Sequence, residues 1–132
     1  MGAAENKAAV VAAYDAFGQG AVEAVVAMNA PDAVWVVHSA PTSPLHGEHK
    51  GLDGIAALFG LIGDTIDISG FEMQPIAAEG DIVVTKGEQN YVVKSTGKSV
   101  SGPLIHIFTF GPDGKVTRFE EFEIGVESAW SP

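Results

Sequence analysis

Gly97-Lys-Ser-Val-Ser-Gly-Pro-Leu-Ile-His-Ile-Phe-Thr-Phe110, then Gly111-Pro-Asp-Gly114, then Lys115-Val-Thr-Arg-Phe-Glu-Glu-Phe-Glu123, reads as a β-hairpin. Pro112 presets φ for a turn and Gly114 is free to take positive φ. Both arms are rich in β-branched and aromatic residues, as strands are. Side chains alternate faces along a strand. Leu104, His106, Phe108 and Phe110 therefore share one face of the first arm. Phe119, Glu121 and Glu123 share a face of the second, and Arg118, Glu120 and Phe122 the other. An imidazole and two carboxylates on an otherwise apolar surface are the most telling chemistry in the chain.

Upstream of the hairpin, residues 5–18 read as a helix, with Val10, Ala13, Tyr14 and Phe17 in one stripe and Gly18-Gln19-Gly20 ending it. A second helix covers about 21–29 and stops at Pro31-Asp32. Residues 33–38 form a strand whose continuous apolar run predicts burial on both faces. Residues 39–50 carry Pro41, Pro44 and Gly47 without periodicity and read as a loop. A third helix spans about 52–62 on the stripe Ile55, Leu58, Phe59 and Ile62. The apolar period then becomes two, and its phase slips at Gly70, which predicts a bulge and a bent strand. Pro75 argues for an edge or a strand end. Residues 82–94 form a long strand leading into the hairpin, and Trp130 is expected to tuck onto the body. Helices followed by an antiparallel meander give an α+β fold, and a strongly bent sheet closing over them leaves a concave apolar pocket.

Composition narrows the function classes. The chain has 132 residues, which predicts a single domain over 1–132, and 46% are apolar, which excludes a disordered chain. Seven Lys and Arg face seventeen Asp and Glu, a net charge of −10 that repels nucleic acid and anionic membranes. With no cysteine there is no disulfide, thiolate nucleophile or zinc–cysteine site. Glu5, Lys7 and Asp15 interrupt the alanine-rich start, and Asn6 stands where a myristoylation signal needs Ser or Thr. No apolar run approaches the ~18 residues of a membrane span. The expected location is cytoplasmic.

The element order resembles the nuclear transport factor 2-like superfamily, which includes ketosteroid isomerases and SnoaL-like polyketide cyclases. The carrying stretches are Ala-Tyr-Asp-Ala-Phe-Gly-Gln-Gly (13–20), Pro-Asp-Ala-Val-Trp (31–35), His-Gly-Glu-His-Lys-Gly-Leu-Asp-Gly-Ile-Ala-Ala-Leu-Phe (46–59) and the two hairpin arms (102–110, 114–123). The resemblance implies a cone: three N-terminal helices on a bent, mixed sheet. Ketosteroid isomerases pair an Asp base with an oxyanion hole of Tyr and protonated Asp. The base position corresponds to Val37 here, the hole's Asp to His106, its Tyr to a position beside Tyr14, and a second pocket tyrosine to Phe59. The steroid isomerase mechanism is therefore not carried over intact. SnoaL-like members often carry an acid late in the last strand, matched by Glu121 or Glu123.

Three residues are the catalytic candidates. His106 or Glu121 would move a proton beside a carbonyl, and Tyr14 would assist at the oxygen. The alternative for His106 is a histidine satisfied by one buried hydrogen bond. Phe17, Trp35, Val37, His38, Phe59, Phe108, Phe119 and Glu123 are the expected pocket residues. His46-Gly-Glu-His49 has weak metal spacing and reads as a surface cluster, and residues 92–99 resemble a phosphate loop without its first glycine or a following helix. Neither a metal nor a cofactor is expected. The expected ligand is a small apolar carbonyl compound. The competing reading is a non-catalytic module that binds a small hydrophobic molecule or a partner. Ile105, Ile107 and Phe122 on the other sheet face predict a homodimer.

Overall fold

The computed structural model describes residues 2–132. Three helices, α1 (Ala3–Gly18), α2 (Val22–Ala27) and α3 (Gly51–Thr65), lie on one face of a six-stranded sheet. The strands are β1 (Asn29–His38), β2 (Gly47–Lys50), β3 (Ile66–Glu79), β4 (Ile82–Val93), β5 (Ser99–Phe110) and β6 (Val116–Glu123), in the order β2-β1-β6-β5-β4-β3. Strands β3 to β6 are the antiparallel meander read from the sequence, and β1 joins it parallel to β6. The result is a mixed α+β architecture. No helix is long and apolar enough to cross a membrane.

The hairpin forms as its sequence dictates. Gly114 takes φ of 79° and its N–H donates to the Gly111 carbonyl at 3.0 Å, closing the turn. The register pairs Phe108 with Phe119, His106 with Glu121 and Leu104 with Glu123, with its one shift at the loop end. The inner face of β5 and β6 is therefore the face carrying the imidazole and the carboxylates.

One expectation changes. Residues 47–50 are a short edge strand paired with β1, so the loop is confined to 39–46. Strand β6 lies between β1 and β5, and Glu120 on its outer face is bonded to His38 and Arg118. The edges are β2 and β3, and Pro75 sits on the latter, as expected of a residue without an N–H.

The bend in β3 follows the slip in phase. Its pairing with β4 shifts between Ile68 and Gly70, as expected, and again between Pro75 and Ala77. Gly87 on β4 lies between these shifts, where β3 crosses so closely that an added Cβ would fall 1.7 Å from the Glu72 carbonyl oxygen. Any side chain there forces two hydrogen-bonded backbones apart. Gly87→Ala is expected to cost ~3 kcal/mol in chemical denaturation, whereas Gly102→Ala, where a Cβ meets nothing within 4 Å, is expected to fold normally.

The core lies between the sheet and the helices. Val10 of α1, Ile55 and Leu58 of α3, and Val83, Val93 and Val116 of the sheet are at most 2% exposed. The C-terminal tail closes one end. Trp130 is buried, and its indole N–H donates to the Tyr91 hydroxyl at 3.2 Å. Lys98 and Thr96 hold the tail's carbonyls from the β4–β5 turn, and Lys94 donates to the Gly63 carbonyl, which accounts for the lysines of the phosphate-loop lookalike.

Candidate functional site

A concave, largely apolar cavity opens between the inner sheet face and helices α1 and α3, the kind of place where small molecules bind. Its walls are mostly aromatic: Tyr14, Phe17, Trp35, Phe59, Phe71, Phe108 and Phe119. Polar atoms come from His106, Glu121, Glu123, Gln89 and Tyr91. Val37 also lines it, paired directly with Glu121 across β1 and β6.

His38 does not belong to this wall. Trp35 and Val37 take the inner face of β1, so alternation sends His38 to the outer one. There its Nε2 is 3.0 Å from Glu120 Oε2, and its ring stacks on Phe122 at 4.4 Å between centroids. The His38 hydrogen bond, reinforced by Arg118, holds the Glu120 carboxyl below the usual carboxylate range. His46 and His49 engage the loop backbone: Ser39 N–H donates to His46 Nδ1 at 3.2 Å, and His49 Nε2 lies 2.9 Å from the Leu45 carbonyl.

The three catalytic candidates lie together. Register places Thr85, His106 and Glu121 in one row across β4, β5 and β6. Tyr14 reaches this row from α1, with its hydroxyl 2.6 Å from Thr85 Oγ1 and 2.7 Å from His106 Nδ1. The other ring nitrogen, Nε2, is 2.9 Å from Glu121 Oε1. His106 is only 3% exposed and is packed edge-on against Phe119, so its imidazole is fixed at both nitrogens and on its face. With the imidazole neutral and Glu121 ionised, one proton pattern satisfies every contact. Thr85 donates to the Tyr14 oxygen, Tyr14 O–H donates to Nδ1, and Nε2–H donates to Glu121. Burial pushes the Tyr14 phenol up despite the Thr85 hydrogen bond, with the Glu121 charge adding to the effect, so it stays a hydroxyl. Glu121 Oε1 is taken by His106, while the side chain keeps 22% of its surface open and lines the cavity.

The SnoaL-like domain profile matches residues 10–119. The chain belongs to the SnoaL-like domain family. No curated protein sequence matches it significantly. Among solved structures, this SnoaL-like chain is similar to an NTF2-like protein from Burkholderia xenovorans, at 27% identity over 99% of both chains with a TM-score of 0.84. The fold is shared with TerC co-crystallised with polyporic acid (23% identity, 96% and 98% of the two chains, TM-score 0.76). It is also shared with a putative SnoaL-like polyketide cyclase from Mesorhizobium loti (16% identity, 87% and 96%, TM-score 0.73).

A second polar cluster of the SnoaL-like cavity includes two residues not singled out by sequence. Gln89 Nε2 and the Tyr91 hydroxyl donate to Glu123 Oε1 at 2.7 and 2.9 Å. Both residues sit at odd positions of β4, the parity of buried Val83 and Val93. That shared parity was the signal available: polar side chains on the apolar face of a strand. Burial pushes the Glu123 carboxyl up, and the neighbouring Glu121 charge adds to this against the pull of the Gln89 and Tyr91 hydrogen bonds. A raised carboxyl binds its proton more tightly in the folded than in the unfolded chain. As pH rises above the ordinary carboxylate range, the unfolded state loses its proton first, and folding stability falls. Glu123→Gln keeps the shape without the charge. Its thermal midpoint should match wild type near pH 4, exceed it by a margin that opens as pH rises above the ordinary carboxylate range, and hold that margin once the folded-state carboxyl has ionised.

Proposed function

We propose that this chain is a cofactor-independent enzyme of the isomerase or cyclase type. It moves a proton at the carbon beside the carbonyl of a compact apolar compound. Glu121 is the base. His106 positions it, and Tyr14 serves the substrate oxygen. The observation that carries this reading is that both nitrogens of His106 are engaged while one oxygen of Glu121 is left for the cavity. An imidazole with no free lone pair cannot take a substrate proton, whereas an unpartnered carboxylate oxygen beside an apolar wall can. The fold shared with a putative polyketide cyclase, and with a protein crystallised with a small organic acid, is consistent with chemistry in the cavity.

The step balances within the chain and substrate. Glu121 takes the α-proton, the C–H electron pair becomes the enolate double bond, and the carbonyl π pair moves onto oxygen. The Tyr14 hydroxyl turns from Nδ1 to that oxygen while Thr85 keeps donating to the phenol. In a ketone with a β,γ double bond the oxygen's electron pair then re-forms the carbonyl, the double bond shifts to the α,β position, and Glu121 returns the proton to the γ carbon, completing an isomerisation. In a cyclisation the enolate carbon attacks a second carbonyl and the new alkoxide takes the proton. The test is α-proton exchange of 1-tetralone in D2O by NMR. Protein-dependent exchange above the buffer rate is expected. Exchange at the buffer rate, with the ketone bound, would leave the non-catalytic binding module as the function.

The outer face carries its own inference. Ile105, Ile107 and Phe122 are only partly covered by the chain itself, and we infer that a second copy covers them. Light scattering should give a dimer at micromolar concentration and a monomer for Ile107→Glu; a monomeric wild type would contradict this.

A further inference from the structure

The polar groups facing the cavity are unevenly satisfied. Tyr14, His106 and Tyr91 spend their donors on protein partners. Gln89 donates to Glu123, and among the described residues its own carbonyl oxygen has no hydrogen-bond partner. That oxygen is not sealed, because it is absent from the buried unpaired atoms, which are Asn6 Oδ1, Ser39 Oγ and Glu123 Oε2. Gln89 is 8% exposed on the inner sheet face, where the cavity is the open space. Across the strand pair its neighbour is Gly102, which leaves the space beside the amide free of a side chain. Glu123 grips Nε2 from the other side and so fixes which way the carbonyl points.

The open valences of the cavity include two acceptors, the second oxygen of Glu121 and the carbonyl of Gln89, beside the second N–H of the Gln89 amide, whose first is given to Glu123. A ligand oxygen that can only accept leaves the Gln89 carbonyl unpaired, whereas a hydroxyl satisfies it. We propose that Gln89 is a specificity-determining residue that accepts a hydrogen bond from a ligand hydroxyl, so that the substrate class is an uncharged, compact hydroxy-ketone rather than a simple ketone. Glu123 acts through Gln89 as a positioning residue. This rests on the proposed function for the ketone end only; the hydroxyl end stands on the hydrogen-bond count.

The test needs no knowledge of the natural substrate. Binding of 1-tetralone, its 5-, 6- and 7-hydroxy derivatives and the matching methoxy compounds is measured by calorimetry on wild type, Gln89→Met and Glu123→Met. At least one hydroxy-ketone is expected to bind wild type ~10-fold more tightly than 1-tetralone and more tightly than its methoxy partner, which cannot donate to the Gln89 carbonyl. That preference, read as the ratio of hydroxy-ketone to 1-tetralone binding within the same protein, should vanish in Gln89→Met and shrink in Glu123→Met. The proposal is overturned if no hydroxy compound is preferred by wild type, if none binds at all, or if the preference survives in Gln89→Met. The wild-type series decides even if a variant fails to fold. The two readings fail separately. Glu121-dependent α-proton exchange without a hydroxyl preference removes the Gln89 subsite alone, and a preference without exchange removes the enzyme alone.

Discussion

Glu121→Gln should lower the rate of α-proton exchange by ~10²–10⁴-fold, the usual contribution of a positioned base, while leaving ketone binding and the folded structure intact. The amide is isosteric, and its oxygen can still accept the His106 Nε2–H that now binds Glu121 at 2.9 Å. What it loses is the ability to take a proton. The loss should therefore appear in turnover and not in affinity. Removing the imidazole has a different signature. His106→Phe keeps an aromatic ring against Phe119 and frees Glu121, so residual exchange should persist and vary with how well the carboxylate is held. If His106→Phe abolished exchange and Glu121→Gln did not, the assignment of base and positioning residue would be reversed.

Phe119→Ala is expected to be the most destabilising single truncation at the site, by ~3–5 kcal/mol. Phe119 is 4% exposed and stands where three rings meet: Trp35 at 4.1 Å, His106 at 4.7 Å and Phe108 at 4.9 Å between centroids. Its removal leaves a cavity among large rigid side chains that cannot collapse into it. It also takes away the face against which the imidazole is packed. Against a typical domain stability of ~5–15 kcal/mol, the variant should unfold at markedly lower denaturant, with Phe119→Leu recovering most of the difference. Substituting Ile124, which is 65% exposed, to Ser should change little.

The sequence was most legible where period and turn chemistry agreed. The hairpin's turn residues set the loop, the loop set the register, and alternation then put His106 and Glu121 on the same face. The slip of phase at Gly70 marked a real break in pairing for the same reason. Legibility failed where a residue's face depends on a distant partner. Val34 to Val37 are uniformly apolar, so nothing local tells which face His38 takes; that is fixed by parallel pairing with β6. The edge strand 47–50 is too short and too polar to announce itself, and it forms because β1 offers a free edge. Thr85, Gln89 and Tyr91 share the parity of Val83 and Val93, so alternation puts them on the inner face, but which groups they meet there is fixed by the register of β4, β5 and β6. The family resemblance supplied the cone but not this chemistry, since the position of the isomerase base is Val37 here.

The central claim is that Glu121 holds no proton of its own and accepts a hydrogen bond from His106 Nε2–H. Nitrogen-15 NMR of the His106 side chain at pH 8 tests it without any substrate. The account predicts that Nε2, the nitrogen facing Glu121, carries the hydrogen. An Nε2 found bare, with the hydrogen on Nδ1 toward Tyr14, would contradict it. A lone pair 2.9 Å from Glu121 Oε1 requires the carboxyl to be the donor, and a carboxyl already protonated cannot be the base.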